Sequence, residues 1–126
     1  MAELRVGIAG LGTVGGGVLK LLHDRAELLE QRCGKRIVVA AVSARDRAKN
    51  RGVDLKSVRW HADPGALAAD PTVDVVVELI GGSDGPAKKL CEAAIAQGKT
   101  VVTANKALLA VHGVALARAA EARGVV

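Results

Sequence analysis

The segment from Leu4 to Gly15 constrains this chain more than any other. A short apolar run, Leu-Arg-Val-Gly-Ile-Ala, breaks into glycines at Gly10, Gly12 and Gly15 and continues with helical periodicity. The G-x-G-x-x-G spacing answers three steric demands. The chain must turn sharply out of a strand at Gly10, offer bare backbone at Gly12, and let the new helix pack tightly on a sheet at Gly15. The amides that open the helix, in residues 13–16, have no partner within it and sit at the positive end of its dipole, where phosphates are favoured. With 15 glycines in 126 residues the spacing alone is easily met, so the strand before it and the helix after it carry the argument. The expectation is a dinucleotide site in which Gly10, Gly12, Thr13, Val14 and Gly15 receive the pyrophosphate. A purely structural turn is the alternative.

Beyond this turn the pattern alternates strand and helix without repeats. Strands are expected at residues 4–9, 37–42, 58–61, 74–80 and 100–103. A first helix is expected over residues 13–29, followed by a polar connection at 31–36. Asp63 and Pro64 should open a small helix ending near Asp70, and Pro86 one that closes at Gly98. After Asn105-Lys106 a short apolar turn should run through Ala110 and His112-Gly113 before a last helix to Arg123. The unbroken apolar run 37–42 suits a central parallel strand covered on both faces. The fold class is therefore α/β, a Rossmann-like doubly wound parallel sheet forming one domain over residues 1–126. Val125-Val126 resemble a further strand just begun, so the chain is read as a fragment, truncated before a catalytic domain.

Composition narrows the partners. Trp60 is the one aromatic residue, which leaves Val, Ala, Leu and Ile to build the core. The net charge of +5 comes without an aromatic stacking platform or a long basic run, so a phosphorylated small ligand is expected and nucleic acid is not. No apolar stretch approaches the about 18 residues of a membrane span, and residue 4 already begins a strand, leaving no room for a signal peptide. A soluble cytoplasmic protein is expected, with no membrane partner. Cys33 and Cys91 lack ligand spacing and read as reduced, buried or half-buried thiols; no metal site is expected.

The remaining candidates fall at strand ends. In this fold an acidic residue after the second strand tests the adenine ribose, but here the sequence reads Val42-Ser43-Ala44-Arg45. Ser43 can donate to a 2′-phosphate and Arg45 can pair with it, so NADP is expected over NAD. NAD remains open if Arg45 and the following Arg47, Lys49 and Arg51 are only a solvated loop. Ile80, Gly81 and Gly82 should pass near the nicotinamide side. Glu78 on the same strand either reaches the open site or has a structural partner, because a lone carboxylate on a covered strand is costly. Lys106, after Thr103-Ala104-Asn105, can neutralise a phosphate, hydrogen-bond a carbonyl or move a proton, and is the candidate catalytic residue; a surface lysine opening a helix is the alternative. His23, His61 and His112 look isolated.

Three stretches together, Gly-Ile-Ala-Gly-Leu-Gly-Thr-Val-Gly-Gly-Gly-Val, Val-Val-Glu-Leu-Ile-Gly-Gly, and Gly-Lys-Thr-Val-Val-Thr-Ala-Asn-Lys-Ala-Leu-Leu-Ala-Val-His-Gly, resemble the amino-terminal nucleotide-binding domain of homoserine dehydrogenase over essentially the whole chain. The resemblance implies NAD(P)-dependent interconversion of L-homoserine and L-aspartate 4-semialdehyde, in the pathway to threonine, methionine and isoleucine. It implies that Gly10, Thr13 and Val14 hold the pyrophosphate, that Thr103 and the Gly81-Gly82 turn line the nicotinamide side, and that Lys106 belongs to the active site. It also implies a separate substrate-binding and dimerising domain beyond residue 126, a small-molecule substrate, and a homodimer at full length. Two rivals are another two-domain dehydrogenase, such as an aspartate dehydrogenase, and a nucleotide-sensing regulatory module like those of potassium transporters. The latter usually carries the acidic residue missing here and has no need of Asn105-Lys106.

Overall fold

The computed structural model describes residues 3–44 and 57–126. Its sheet has five parallel strands, β1 (Glu3–Ala9), β2 (Arg36–Ser43), β3 (Arg59–Trp60), β4 (Val75–Glu78) and β5 (Thr100–Thr103), in the order β3-β2-β1-β4-β5. The sheet is wound on both faces. Val6, Ile8 and Val42 pack with Leu11 and Leu19 of the turn and helix α1 (Thr13–Asp24). On the other face Ala9, Ala41 and Val76 meet Leu67 and Ala68 of α3 (Ala66–Ala69) and Leu90 and Ala94 of α4 (Pro86–Ala96). Small residues on this second face let the layers approach closely without aromatic filler.

Local chemistry explains where elements start and stop, and where they depart from the expectations. The first helix is not one piece: α1 ends at Asp24, Arg25 leaves helical geometry, and α2 (Ala26–Cys33) continues to Gly34, whose φ of +73° gives a left-handed cap. The first half of the expected polar connection is thus helix, because Gln31 and Arg32 tolerate helix and only the glycine ends it. Before α3, Asp63 accepts from the Gly65 amide and the following bonds are tight three-residue turns, so regular helix starts only at Ala66. β4 is shorter than expected for a reason taken up below. The expected turn after Lys106 is absent: α5 (Lys106–Arg123) is a single helix packed on α4, because the Asn105 side chain caps it by accepting from Leu108 N at 3.0 Å. Val126 reaches the outer edge of β5, where its carbonyl accepts from Val101 N at 3.0 Å. Among the described residues no helix is long and apolar enough to cross a membrane.

The strand-to-helix turn leaves no slack. Gly10 has φ +94°, and a Cβ there would meet the Leu79 carbonyl oxygen at 2.7 Å. A Cβ on Gly15 would collide with the Gly10 carbonyl itself, whereas Gly12 and Gly17 face open space. Gly15→Ala should therefore destabilise the chain severely or prevent folding. Gly17→Ala should stabilise it by about 0.5–1 kcal/mol, since an interior helical glycine only adds unfolded-state entropy. Urea melts of the two variants check this contrast.

Edge strand β3 is held by a buried acid. Asp70 accepts from Thr72 N and Oγ1 at 2.8 and 2.7 Å, contacts His61 Nε2 at 2.8 Å, and lies 3.5 Å from the Arg59 guanidinium. Burial pushes this carboxyl up, but the bonds from His61 and Thr72 and the charge of Arg59 outweigh it and bring the pKa from 3.8 down to about 2. A depressed carboxyl contributes stability that is present above its unfolded pKa and is lost as pH falls through the folded one. Between pH 5 and pH 2 the chain should lose about 2 kcal/mol through Asp70. Asp70→Asn should remove that slope in pH-dependent denaturant melts.

Candidate functional site

Parallel register puts the ends of four strands in one row. Ser43, Ala9, Glu78 and Thr103 are direct partners across β2, β1, β4 and β5. Everything that follows them in sequence must emerge at one edge of the sheet. This edge gathers the glycine turn after β1, Ser43 at the end of β2, Ile80, Gly81 and Gly82 after β4, and Lys106 after β5. Arg45, and with it Arg47, Lys49 and Arg51, lies outside the described residues.

The glycine turn leaves the amino end of α1 open. α1 opens at Gly12 with no side-chain cap and no acidic residue in its first turn, so nothing on the helix competes for its positive end. Thr13 and Val14 are exposed there, and the first helical bond is the one from Gly16 N to Gly12 O. The turn is tied to its neighbours by Gly10 N donating to Ser43 O and Leu79 N donating to Ala9 O, each at 2.8 Å. Ser43 is buried, and by its backbone it anchors the glycine turn.

Between this turn and the ends of β4 and β5 lies a cavity of about 150 Å³, walled by Val14, by Glu78 to Gly81, and by Ala104 and Asn105. Its floor is a polar network around Glu78, which is 0% exposed. Glu78 Oε2 accepts from Ile80 N at 2.8 Å and Gly81 N at 3.0 Å. Those bonds curl the backbone away from the ladder and explain why β4 stops at Glu78 although Leu79 and Ile80 are good strand formers. Thr103 Oγ1 donates to Glu78 Oε1 at 2.5 Å and itself accepts from Asn105 N at 3.0 Å. Asn105 Nδ2 donates to Gly82 O at 2.6 Å, while its Oδ1 caps α5. Every member is satisfied, so the two loops are fixed relative to each other.

Each sequence-derived candidate among the described residues acquires a defined place. The amides of Ile80 and Gly81 donate to the Glu78 carboxylate, and all three residues line the cavity. The Thr103 hydroxyl is committed to Glu78 and Asn105. Lys106 is exposed and is the first residue of α5. Asn105 was legible only as a neighbour of Lys106; an asparagine before a helical run was the cap signal that the expected turn concealed. Leu79 and Ala104 carried no signal beyond their position after a strand.

The histidines are not isolated. His61 meets Asp70, His23 meets Asp24 at 3.1 Å, and His112 Nε2 lies 2.9 Å from Asp84 Oδ1, tying the loop after β4 to α5. The His112 bond, more than the Ser83 hydroxyl, holds the Asp84 carboxyl below its ordinary pKa. Cys91 is buried, and its thiol is pushed up to about 12 by burial first and by the charge of Glu78 next; Cys33 is exposed. Among the described residues no three acidic, histidine or cysteine side chains converge as metal ligands do.

A doubly wound sheet in this order, with an uncapped glycine turn at its carboxyl edge, defines a dinucleotide-binding domain. The family described as homoserine dehydrogenase, NAD binding domain, matches residues 10–126. The chain belongs to that family. It is 46% identical over 126 residues to homoserine dehydrogenase of Pseudomonas aeruginosa, covering 100% of this chain and 28% of that protein. It superposes on homoserine dehydrogenase from Thiobacillus denitrificans with a TM-score of 0.89 at 43% identity, covering 99% of this chain and 28% of the other. GenD2 from gentamicin A biosynthesis, solved in complex with NAD, matches with a TM-score of 0.72 at 27% identity over 100% of this chain and 34% of the other. The chain thus spans about a third or less of the length of these relatives.

Replacing Glu78 tests the network. Glu78→Leu leaves two amides and a hydroxyl in a part-buried turn without their acceptor, at up to about 1–3 kcal/mol each. A loss of about 3 kcal/mol or more in chemical denaturation is expected, and a near-neutral result would mean that the loops are held by other contacts.

Proposed function

We propose that this domain binds NADP(H) along the strand-end row and serves the interconversion of L-homoserine and L-aspartate 4-semialdehyde in the protein it belongs to. The observation that carries the reading is the open backbone at Gly12, backed by an uncapped helix terminus and continuous with the cavity beside Glu78. Gly10, Gly12, Thr13, Val14 and Gly15 would hold the pyrophosphate, and Ile80, Gly81, Gly82 and Thr103 would frame the nicotinamide end. When bound, the cofactor supplies or accepts a hydride at its nicotinamide ring. The chain's own contribution is to orient that ring in the cavity and to present Lys106 beside it.

Lys106 is placed where helix stability would not put it. A cation in the first turn of a helix opposes the macrodipole, and α5 has no acidic residue there to offset it. This supports a role in chemistry, with the ammonium group donating to the carbonyl oxygen of the semialdehyde or to the alcohol oxygen of homoserine. A separate domain in the longer protein would hold the amino acid and form the homodimer contact; such a protein belongs in the cytoplasm, in amino-acid biosynthesis. In the gene product that contains this chain, Lys106→Ala should lower turnover by about a hundredfold, the scale of losing a positioned proton donor, with little change in melting temperature. Turnover near the unaltered level would return Lys106 to a surface role.

NADP is favoured over NAD because no carboxylate occupies the end of β2, where Ser43 closes the strand and Arg45 follows two residues on. Calorimetric titration should give tighter binding of NADP than of NAD. Arg45→Ala should weaken NADP by about tenfold or more, the scale of a charged hydrogen bond, and leave NAD nearly unchanged. Equal or tighter binding of NAD by the unaltered chain contradicts the preference.

A further inference from the structure

We propose that Glu78 makes this domain discriminate between the oxidised and the reduced dinucleotide, by holding a buried negative charge beside the cavity that receives the nicotinamide ring. The proposal rests on the cofactor reading above and assigns a specificity role to a residue that reading does not use.

Glu78 is fully buried and borders the cavity. Its three hydrogen bonds all come from neutral donors, two amides and a hydroxyl. No lysine, arginine or histidine pairs with it among the described residues. Buried carboxylates are normally paired with a cation, because desolvating a lone charge is expensive. Neutral donors orient and stabilise a carboxylate but leave its net charge in place.

A glutamine oxygen could accept from the Ile80 and Gly81 amides at a smaller desolvation cost, but its amide nitrogen could not accept from the Thr103 hydroxyl, so the network uses both carboxylate oxygens. The cavity gives that charge a second role. An oxidised nicotinamide ring carries a formal positive charge, whereas the reduced ring is neutral and of nearly the same size. Because Glu78 is itself buried, its attraction for a cationic ring in the cavity it borders is stronger than between two charges in bulk water. The oxidised form gains from Glu78 and the reduced form does not. By holding the cation more tightly, Glu78 shifts the bound hydride equilibrium toward the oxidised cofactor.

The test compares the unaltered chain with Glu78→Gln, which keeps the shape and one acceptor oxygen for the two amides. Each is titrated calorimetrically with NADP+ and with NADPH. The dissociation constant of the oxidised form should rise at least fivefold more than that of the reduced form. Equal weakening of both forms, or greater loss of the reduced one, would show Glu78 to be structural only and overturn the proposal. If the unaltered chain binds neither form, the cofactor reading fails first and this inference with it. Should Glu78→Gln fail to fold, carbon-13 NMR of the unaltered chain at neutral pH decides. The Glu78 side-chain carboxyl must have the chemical shift of a carboxylate and move on adding NADP+ more than on adding NADPH. The shift of a protonated acid, or equal movement with both forms, overturns the assignment.

Discussion

The closeness of α1 to β1 is the constraint on which the rest of the molecule depends. With no room for a side chain between Gly15 and the Gly10 carbonyl, the helix must start directly behind the strand and point its amino end over the sheet's carboxyl edge. The same closeness seats Leu11 and Leu19 against Val6, Ile8 and Val42, so the turn is also the start of one face of the core. Binding geometry and packing are fixed by a single steric fact. A larger residue at either glycine would damage both together.

The second organising element is polar. Glu78, Thr103 and Asn105 join the loop after β4 to the loop after β5 through direct hydrogen bonds between buried groups. Apolar packing could not set this geometry as narrowly, because contacts between aliphatic side chains are not directional. The network also determines what each loop can offer a ligand. It turns the Ile80 and Gly81 amides inward, caps α5, and so fixes the backbone from which Lys106 projects.

Much of this was legible in the sequence because it is local. The glycine spacing predicts the β1–α1 turn, and the periodicity predicts all five strands and the site edge, since parallel strands joined by helices bring every strand end to one side. What escaped is non-local or turns on one side chain. Asn105 as a cap converts an expected turn into the first turns of α5, although Gly113 speaks against helix there. The end of β4 is set by Glu78 reaching forward to Ile80 and Gly81, which no propensity encodes. The pairings of His61 with Asp70 and His112 with Asp84 join residues apart in sequence, so two histidines that looked isolated have distant partners, while His23 meets its neighbour Asp24. Glu78 stood out as an acid in an apolar strand, but only the fold supplied Thr103 as its partner 25 residues away.

The central claim is that a nicotinamide dinucleotide lies across the strand-end row with its pyrophosphate on the glycine turn. The most direct measurement is an NMR titration of the nitrogen-15-labelled chain with NADPH, following backbone amides residue by residue. The account predicts the largest shifts at Gly12, Thr13 and Val14, with a second group at Gly81, Ala104 and Lys106, and none at the opposite edge around Asp74 and Lys99. Saturating shifts confined to that opposite edge, or no shifts at the glycine turn, would contradict it.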